Sequence, residues 1–186
     1  RDKVYKPAVK PTNSALKSQK AINRAIERAS KAGGGKVVIP EGVYMTGAIR
    51  LLSDVNLVVS KGATLRFAYE PALYPLVYTR YEGLDLYNYS PCIYANGAKN
   101  IGITGEGTID GNGTNETFWQ WTGVERFGYK KGVTTEDSRF PRDGNSLGYR
   151  AILQKMCEDN VPVKDRVFGM GKGLRMQLVN PVNCED

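Results

Sequence analysis

Two short segments set charge beside glycine, where the backbone can bring a cation close to a ligand. Thr79-Arg80-Tyr81-Glu82-Gly83 places a guanidinium and a carboxylate two positions apart, and Gly171-Lys172-Gly173-Leu174-Arg175-Met176 places two cations three apart. A guanidinium offers paired donors in a fixed fork that matches a carboxylate, so Arg80 is a candidate anion ligand, with Glu82 orienting it or accepting hydroxyls. Lys172 keeps its positive charge at working pH, which suits binding and not acid–base work near neutrality. Plainer readings stand beside these: Arg80 and Glu82 pair only with one another, Lys172 is a surface charge and Arg175 is structural.

Other chemistry is excluded or weak. The chain has no histidine, so it encodes no Ser-His or Cys-His nucleophile and no histidine-ligated zinc site. Acidic residues come singly or as neighbours such as Glu136-Asp137 and Glu158-Asp159, the pattern of a solvated surface. Cys92, Cys157 and Cys184 are far apart without a CxxC pair. They read as buried thiols, not as a disulfide framework or metal ligands, and no metal or cofactor is expected. Trp119 and Trp121 suit either the apolar face of a sugar ring or, preferred here, packing of their own segment. Asp110, within a glycine-bearing turn, reads as a turn former. Asn112-Gly113-Thr114 and Asn115-Glu116-Thr117 are formal glycosylation sequons that carry meaning only in a eukaryotic source.

These residues belong to a chain of 186 residues, 41% hydrophobic, long enough for one ordinary domain. No apolar run approaches the ~20 residues of a membrane span, and no membrane partner is expected. Nothing after Arg1 has the pattern of a signal peptide, so the N-terminus is expected to have been trimmed. The formal charge of +7 favours an acidic polymer. The basic residues are scattered, without a block of five or six and without a recognition motif, so nucleic acid is not the expected partner. A polyuronate is the competing anion.

The elements that must position the candidates are mostly short strands. Residues 1–16 read as an extended lead-in. Ala21, Ile22, Ala25, Ile26 and Ala29 then recur on one helical face. A helix is predicted over 19–31, within a capping segment 18–32, with Ser18 as N-cap and Gly33 ending it. Strand-like runs follow at 36–40, 43–49, 55–59, 64–67, 91–95, 100–104, 107–109 and 174–180, separated by Gly, Asn, Asp and Lys turns. A weak repeat links Asp54-Val55-Asn56-Leu57 and Gly62-Ala63-Thr64-Leu65 with Asn100-Ile101-Gly102-Ile103 and Gly107-Thr108-Ile109. Leu178-Val179 and Cys184-Glu185-Asp186 correspond in the same way to Cys92-Ile93 and Ala98-Lys99-Asn100. Stacked coils of an all-β solenoid fit this spacing, with the early helix as their cap. Residues 36–110 are the first coils, 111–172 an insertion with a helix near 146–159, and 173–186 the start of the next coil. The insertion reads equally as a carrier of binding residues or as a packing flap.

The motifs resemble those of glycoside hydrolase family 28, the polygalacturonases with related galacturonidases and rhamnogalacturonan hydrolases. The resemblance rests on Gly33-Gly34-Gly35-Lys36-Val37-Val38-Ile39-Pro40, Gly42-Val43-Tyr44-Met45-Thr46-Gly47 and Lys61-Gly62-Ala63-Thr64-Leu65. It continues through Tyr78-Thr79-Arg80-Tyr81-Glu82-Gly83, Tyr89-Ser90-Pro91-Cys92-Ile93-Tyr94-Ala95 and the run from Asn100 to Gly111. Val161-Pro162-Val163-Lys164-Asp165-Arg166-Val167-Phe168-Gly169 resembles the segment leading bacterial members into the next coil. The glycine-rich start and the Gly-Thr-Ile-Asp-Gly turn are shared widely among pectin-lyase-like folds, whereas Thr-Arg-Tyr-Glu-Gly and Val-Pro-Val to Phe-Gly are narrower.

The resemblance implies a right-handed parallel β-helix with an N-terminal capping α-helix, of which this chain is the first coils. It implies inverting hydrolysis of α-linked galacturonic acid, with a pectic polysaccharide or oligogalacturonate and the remainder of its own β-helix as partners, in a secreted or periplasmic setting. Arg80, Glu82, Lys172 and Arg175 are then the expected substrate-binding residues. The family's aspartates lie in Asn-Thr-Asp and Asp-Asp motifs, followed by Gly-His-Gly and Arg-Ile-Lys, and none of these occurs here. Inversion needs two carboxyl groups ~6.5–9.5 Å apart across the scissile bond. The catalytic residues are therefore expected beyond Asp186, and the chain alone is expected to be inactive. Lys172 and Met176 stand where relatives often carry histidine and proline, and the residues before Ser18 lack the usual Phe-Gly-Ala and Asp-Gly pattern. Two alternatives remain, a non-catalytic carbohydrate-binding or adhesin-like β-helix and a calcium-dependent pectate lyase.

Overall fold

A computed structural model describes residues 3–129 and 146–186. These divide into two compact units, one of residues 3–68, 92–111 and 178–186, the other of residues 69–91, 112–129 and 146–177.

The first unit opens with β1 (Val4–Tyr5) and α1 (Ala15–Lys31). The lead-in is thus shorter than its sequence suggested, and the helix starts a turn earlier. Ser14 is the N-cap, its side chain accepting from Lys17 N, while Ser18 is fully buried inside the helix. Serine at either position satisfies the sequence pattern, but only Ser14 has the extended backbone that a cap requires (φ −82°, ψ 96°). Gly33, at φ +91°, follows the last turn and donates to Ser30 O, as expected of a helix end.

The strands then run β2 (Gly35–Ile39), β3 (Gly42–Thr46), β4 (Ile49–Arg50), β5 (Val55–Val59) and β6 (Ala63–Phe67). After the second unit's β7 (Leu76–Tyr81) and β8 (Leu84–Tyr89) come β9 (Ile93–Asn96), β10 (Gly102–Thr104), β11 (Thr108–Asp110) and β12 (Val179–Val182). Three sheets form with orders β1-β2-β5-β10, β3-β6-β11 and β4-β9-β12, every pairing parallel. Each coil lays one strand on each sheet, the signature of a parallel β-helix. The final strand begins at Val179, five residues later than the run from 174 implied.

Register aligns apolar residues in columns: Val37, Leu57 and Ile103; Tyr44, Leu65 and Ile109; Ile49, Ile93 and Val179. Alternate residues point inward, so Val55, Leu57 and Val59, then Ala63, Leu65 and Phe67, are almost wholly buried. Burying one such aliphatic side chain contributes roughly 1.5–3 kcal/mol, and a coil has few without its neighbours. Burial also pushes the Tyr44 hydroxyl pKa up, because the charged form is poorly solvated there.

The outer strands of the first coil have bonded backbones. Lys36 N donates to Lys3 O on β1, and Met45 N donates to Thr12 O while Thr12 N donates to Val43 O. Beside β4, Asn23 of α1 receives Arg50 N on its Oδ1 (3.0 Å) and donates to Ala48 O (3.1 Å), which also accepts from Gln19 (3.1 Å).

Candidate functional site

All four predicted binding residues lie in the second unit. Its frame is the antiparallel hairpin β7–β8, which falls outside the strand-like runs read from the sequence. Glu82 and Gly83 form its two-residue turn with φ of +47° and +86°, both in the left-handed region that two-residue hairpins demand. The register sets Arg80 opposite Asp85, and their side chains pair at 2.9 Å (Nε to Oδ1) while Arg80 also donates to Gly83 O at 3.0 Å. Arg80 and Glu82 therefore do not pair with each other. Alternation along the strand gives Arg80 a cross-strand partner in Asp85, and the turn leaves Glu82 exposed.

Glu82 is instead bonded by Arg150 of α2 (Ser146–Glu158). That bond, and the carboxylate's charge, raise the Arg150 pKa from its already high usual value. Arg150 also donates to Gln154 one turn on, at 3.0 Å. The helix is seated by Leu153, which joins Leu86, Phe168 and Leu174 in a buried cluster with Tyr149 and Met156 against it. Leu153 and Tyr149 lie four apart, and Met156 three beyond Leu153, so one stripe faces the hairpin.

The segment leading to Arg175 wraps β8. Tyr87 N donates to Arg166 O and Phe168 N to Tyr87 O, both at 2.8 Å. Gly169 and Lys172 exchange backbone bonds at 3.0 Å across Met170-Gly171, a tight reversal with φ of +49° and +94°. Tyr149 Oη donates to Gly171 O at 3.3 Å, Asn88 Nδ2 to Leu174 O at 3.0 Å, and Gln177 Nε2 to Arg80 O at 2.6 Å. The stretch carrying Lys172 and Arg175, the hairpin carrying Arg80 and Glu82, and α2 are thus one bonded assembly. All four candidates are exposed. Exposed ion pairs are worth about 0–1 kcal/mol, but Asp85 Oδ1 is itself buried, so this pair holds Arg80 against β8 while the rest of its side chain stays exposed. Arg150, Asp85 and Gln177 were not singled out from sequence. The Glu82 and Arg150 partners are separated by 68 positions, and no local pattern joins them.

The remaining candidates sort clearly. Trp121 is fully buried, donates Nε1–H to Tyr69 Oη at 2.8 Å, and packs against Phe118 and Tyr89. Trp119 is 44% exposed beside Phe127. Asp110 is not a turn former: it ends β11 opposite Arg66, and the two pair at 2.8 Å. Of the thiols only Cys92 is buried, while Cys157 and Cys184 are half-buried, and none of the three forms a disulfide. Glu158 and Asp159 lie at the surface end of α2, Asp159 paired with Lys155. Glu136-Asp137 falls outside the described residues. Among the described residues no group of three or more Cys, Asp or Glu could hold a metal ion.

No family model matches the chain. An exo-poly-α-D-galacturonosidase of Dickeya chrysanthemi is 37% identical over 101 residues, 50% of this chain and 16% of that protein. An endo-polygalacturonase of Pectobacterium carotovorum subsp. carotovorum is 35% identical over 103 residues, 51% of this chain and 23% of that protein. The crystal structure of a hyperthermoactive exopolygalacturonase from Thermotoga maritima superposes with a TM-score of 0.80 at 41% identity, covering 89% of this chain and 35% of that one. The chain thus spans between about a sixth and a third of the lengths of these three proteins. In sequence and in backbone it matches, over part of their length, the polygalacturonases of glycoside hydrolase family 28, the family its own motifs resemble.

Proposed function

We propose that this chain is part of a pectin-degrading glycoside hydrolase that cleaves α-linked galacturonic acid with inversion. The observation that carries the reading is the 41% identity sustained over 89% of the chain on a backbone shared with an exopolygalacturonase. In this reading the first unit supplies coils of a right-handed helix, the hand that parallel crossovers adopt in about 98% of cases. Helix α1 closes the first coil, and the carboxyl pair that inversion needs comes from further coils of the same polypeptide. Arg80, Lys172 and Arg175 bind galacturonate carboxylates, Glu82 holds Arg150 in place and orders the turn beside them, and the protein works outside the cytoplasm, in a secreted or periplasmic setting.

The full-length protein should release reducing ends from polygalacturonate in the presence of a calcium chelator, and proton NMR should show the inverted anomer appearing first. Unsaturated products would identify a lyase instead. Replacing Arg80, Lys172 and Arg175 together by glutamine should raise KM about 10-fold or more, at about 1 kcal/mol per exposed contact; an unchanged KM would remove these residues from the site. A second reading, a non-catalytic carbohydrate-binding β-helix, is favoured by the absence of the family's aspartate motifs from these 186 residues. It predicts polygalacturonate binding without turnover by the full-length protein.

A further inference from the structure

The positive charge of the chain is concentrated. Residues 1–36 hold ten Lys and Arg against two Asp and Glu, a surplus of eight, whereas the whole chain carries +7, so residues 37–186 are net −1. The cations looked scattered in sequence because they are spaced three and four apart. On α1 that spacing aligns Lys17, Lys20, Arg24, Arg28 and Lys31 along one exposed face. The strip offers one cation per about 5 Å of axis over about 21 Å. Glu27 is the one acid of the helix, none lies in its first turn, and Lys17, Lys20, Arg24 and Lys31 make no ion pair with any described residue. Like charges at this spacing, and cations near a helix N-terminus, both oppose helix formation. The helix is held by its other face, where Ile22, Ala25, Ile26 and Ala29 are fully buried.

Beside the strip runs a shallow groove of about 530 Å³ whose apolar wall is Ala8, Val9 and Ala21. We propose that this groove and the cationic strip of α1 are a docking surface for an anionic polysaccharide, a polyuronate, which rests on the substrate class proposed above. A polyuronate carries one carboxylate per ring along a ribbon whose pyranose faces are apolar C–H surface, so its charged edge meets the strip and its faces meet the apolar wall. A lipid surface fits less well, because the apolar side of α1 is already committed to the coils and cannot enter a bilayer. Nucleic acid fits less well, since none of the residues lining the groove is aromatic and a base has nothing there to stack on.

The test uses the full-length protein and a variant combining Lys17→Gln, Lys20→Gln, Arg24→Gln and Lys31→Gln, with a matched variant carrying Lys17→Arg, Lys20→Arg and Lys31→Arg. Affinity for polygalacturonate is measured against salt, with fully methyl-esterified polygalacturonate, duplex DNA and phosphatidylglycerol vesicles as the other probes. The glutamine variant should bind polygalacturonate at least 10-fold more weakly with a flatter salt dependence, the arginine variant should bind like the parent, and the esterified polymer should bind parent and glutamine variant equally. Equal polygalacturonate affinity in parent and glutamine variant overturns the strip. So does DNA or vesicle binding by the parent that matches or exceeds polygalacturonate and is lost in the glutamine variant. Wild-type turnover of trigalacturonate reports separately on the proposed activity. A protein that turns over the trimer while the glutamine variant binds polymer normally refutes the strip alone.

Discussion

Ala48 O accepts from both Gln19 and Asn23, and that shared acceptor gives a sharp test of how α1 is fastened to the coils. Asn23→Ala removes two bonds, to Ala48 O and from Arg50 N. A net bond is worth about 1 kcal/mol, but Gln19 still serves Ala48 O and Arg50 is exposed enough for water to replace its partner. The single change should therefore cost about 1 kcal/mol. Gln19→Ala, with Asn23 still in place, should cost about 0.5 kcal/mol by the same reasoning. With both gone, the carbonyl of a residue only 6% exposed loses every side-chain donor, and an unsatisfied buried acceptor costs about 1–3 kcal/mol. The double variant should thus exceed the sum of the singles by about 1 kcal/mol. Urea unfolding of the full-length protein followed by far-ultraviolet circular dichroism is the suitable assay, because both tryptophans of this chain lie in the other unit. Strict additivity would refute the shared-acceptor argument, and faster amide exchange at Arg50 in Asn23→Ala is its local counterpart.

Gly105→Ala should be severely destabilising, by about 3 kcal/mol or more, since φ is +106° and the new Cβ would lie 2.1 Å from Val59 O. Gly97→Ala meets nothing within 4 Å at φ +66° and should cost only about 1–2 kcal/mol, a difference visible in melting temperature. Trp121→Phe should lose about 1–3 kcal/mol, because Tyr69 Oη surrenders its indole partner inside an aromatic cluster. Tyr44 has its pKa raised in the folded state, so its contribution is intact below pH ~10 and is lost as pH rises through the folded value. Tyr44→Phe should flatten the alkaline fall in stability, measured by urea midpoints on either side of pH 10.

The coils were legible because the solenoid repeats its corners as well as its strands. Asp54, Asn100 and Asp186 occupy equivalent corners at φ of +66°, +53° and +62°, and Asn100 donates to Asp54 at 2.9 Å. Short side chains that tolerate this conformation mark the register from sequence alone, and the alignment of Leu178-Val179 with Cys92-Ile93 follows from it. The β7–β8 hairpin was not legible as strands. Its buried positions include the polar Thr79 and Asn88 beside Leu86, so no unbroken apolar stripe marks it, and Glu82 is an uncommon choice for the left-handed first position of its turn. The candidate site was half legible. Glycine and charge picked out Arg80, Glu82, Lys172 and Arg175, but their partners Asp85, Arg150 and Gln177 are joined to them only through tertiary structure.

The pairing of Ile93 with Val179 spans 86 positions, whereas Leu57 meets Ile103 after 46. Loop-closure entropy grows only as the logarithm of length, so the longer excursion costs about 0.5 kcal/mol more. The ends of that excursion need not wait for the closure: Leu86 of the hairpin β7–β8, just before Ile93, joins Leu153, Phe168 and Leu174 in one buried cluster, which brings the chain before β9 to the chain before β12. Such a hairpin forms in about 1–10 μs. The hairpin and the cluster on it can therefore order early and shorten the effective loop, and lengthening or trimming residues 112–177 should alter the folding rate of β12 more than the equilibrium stability of the coil it completes.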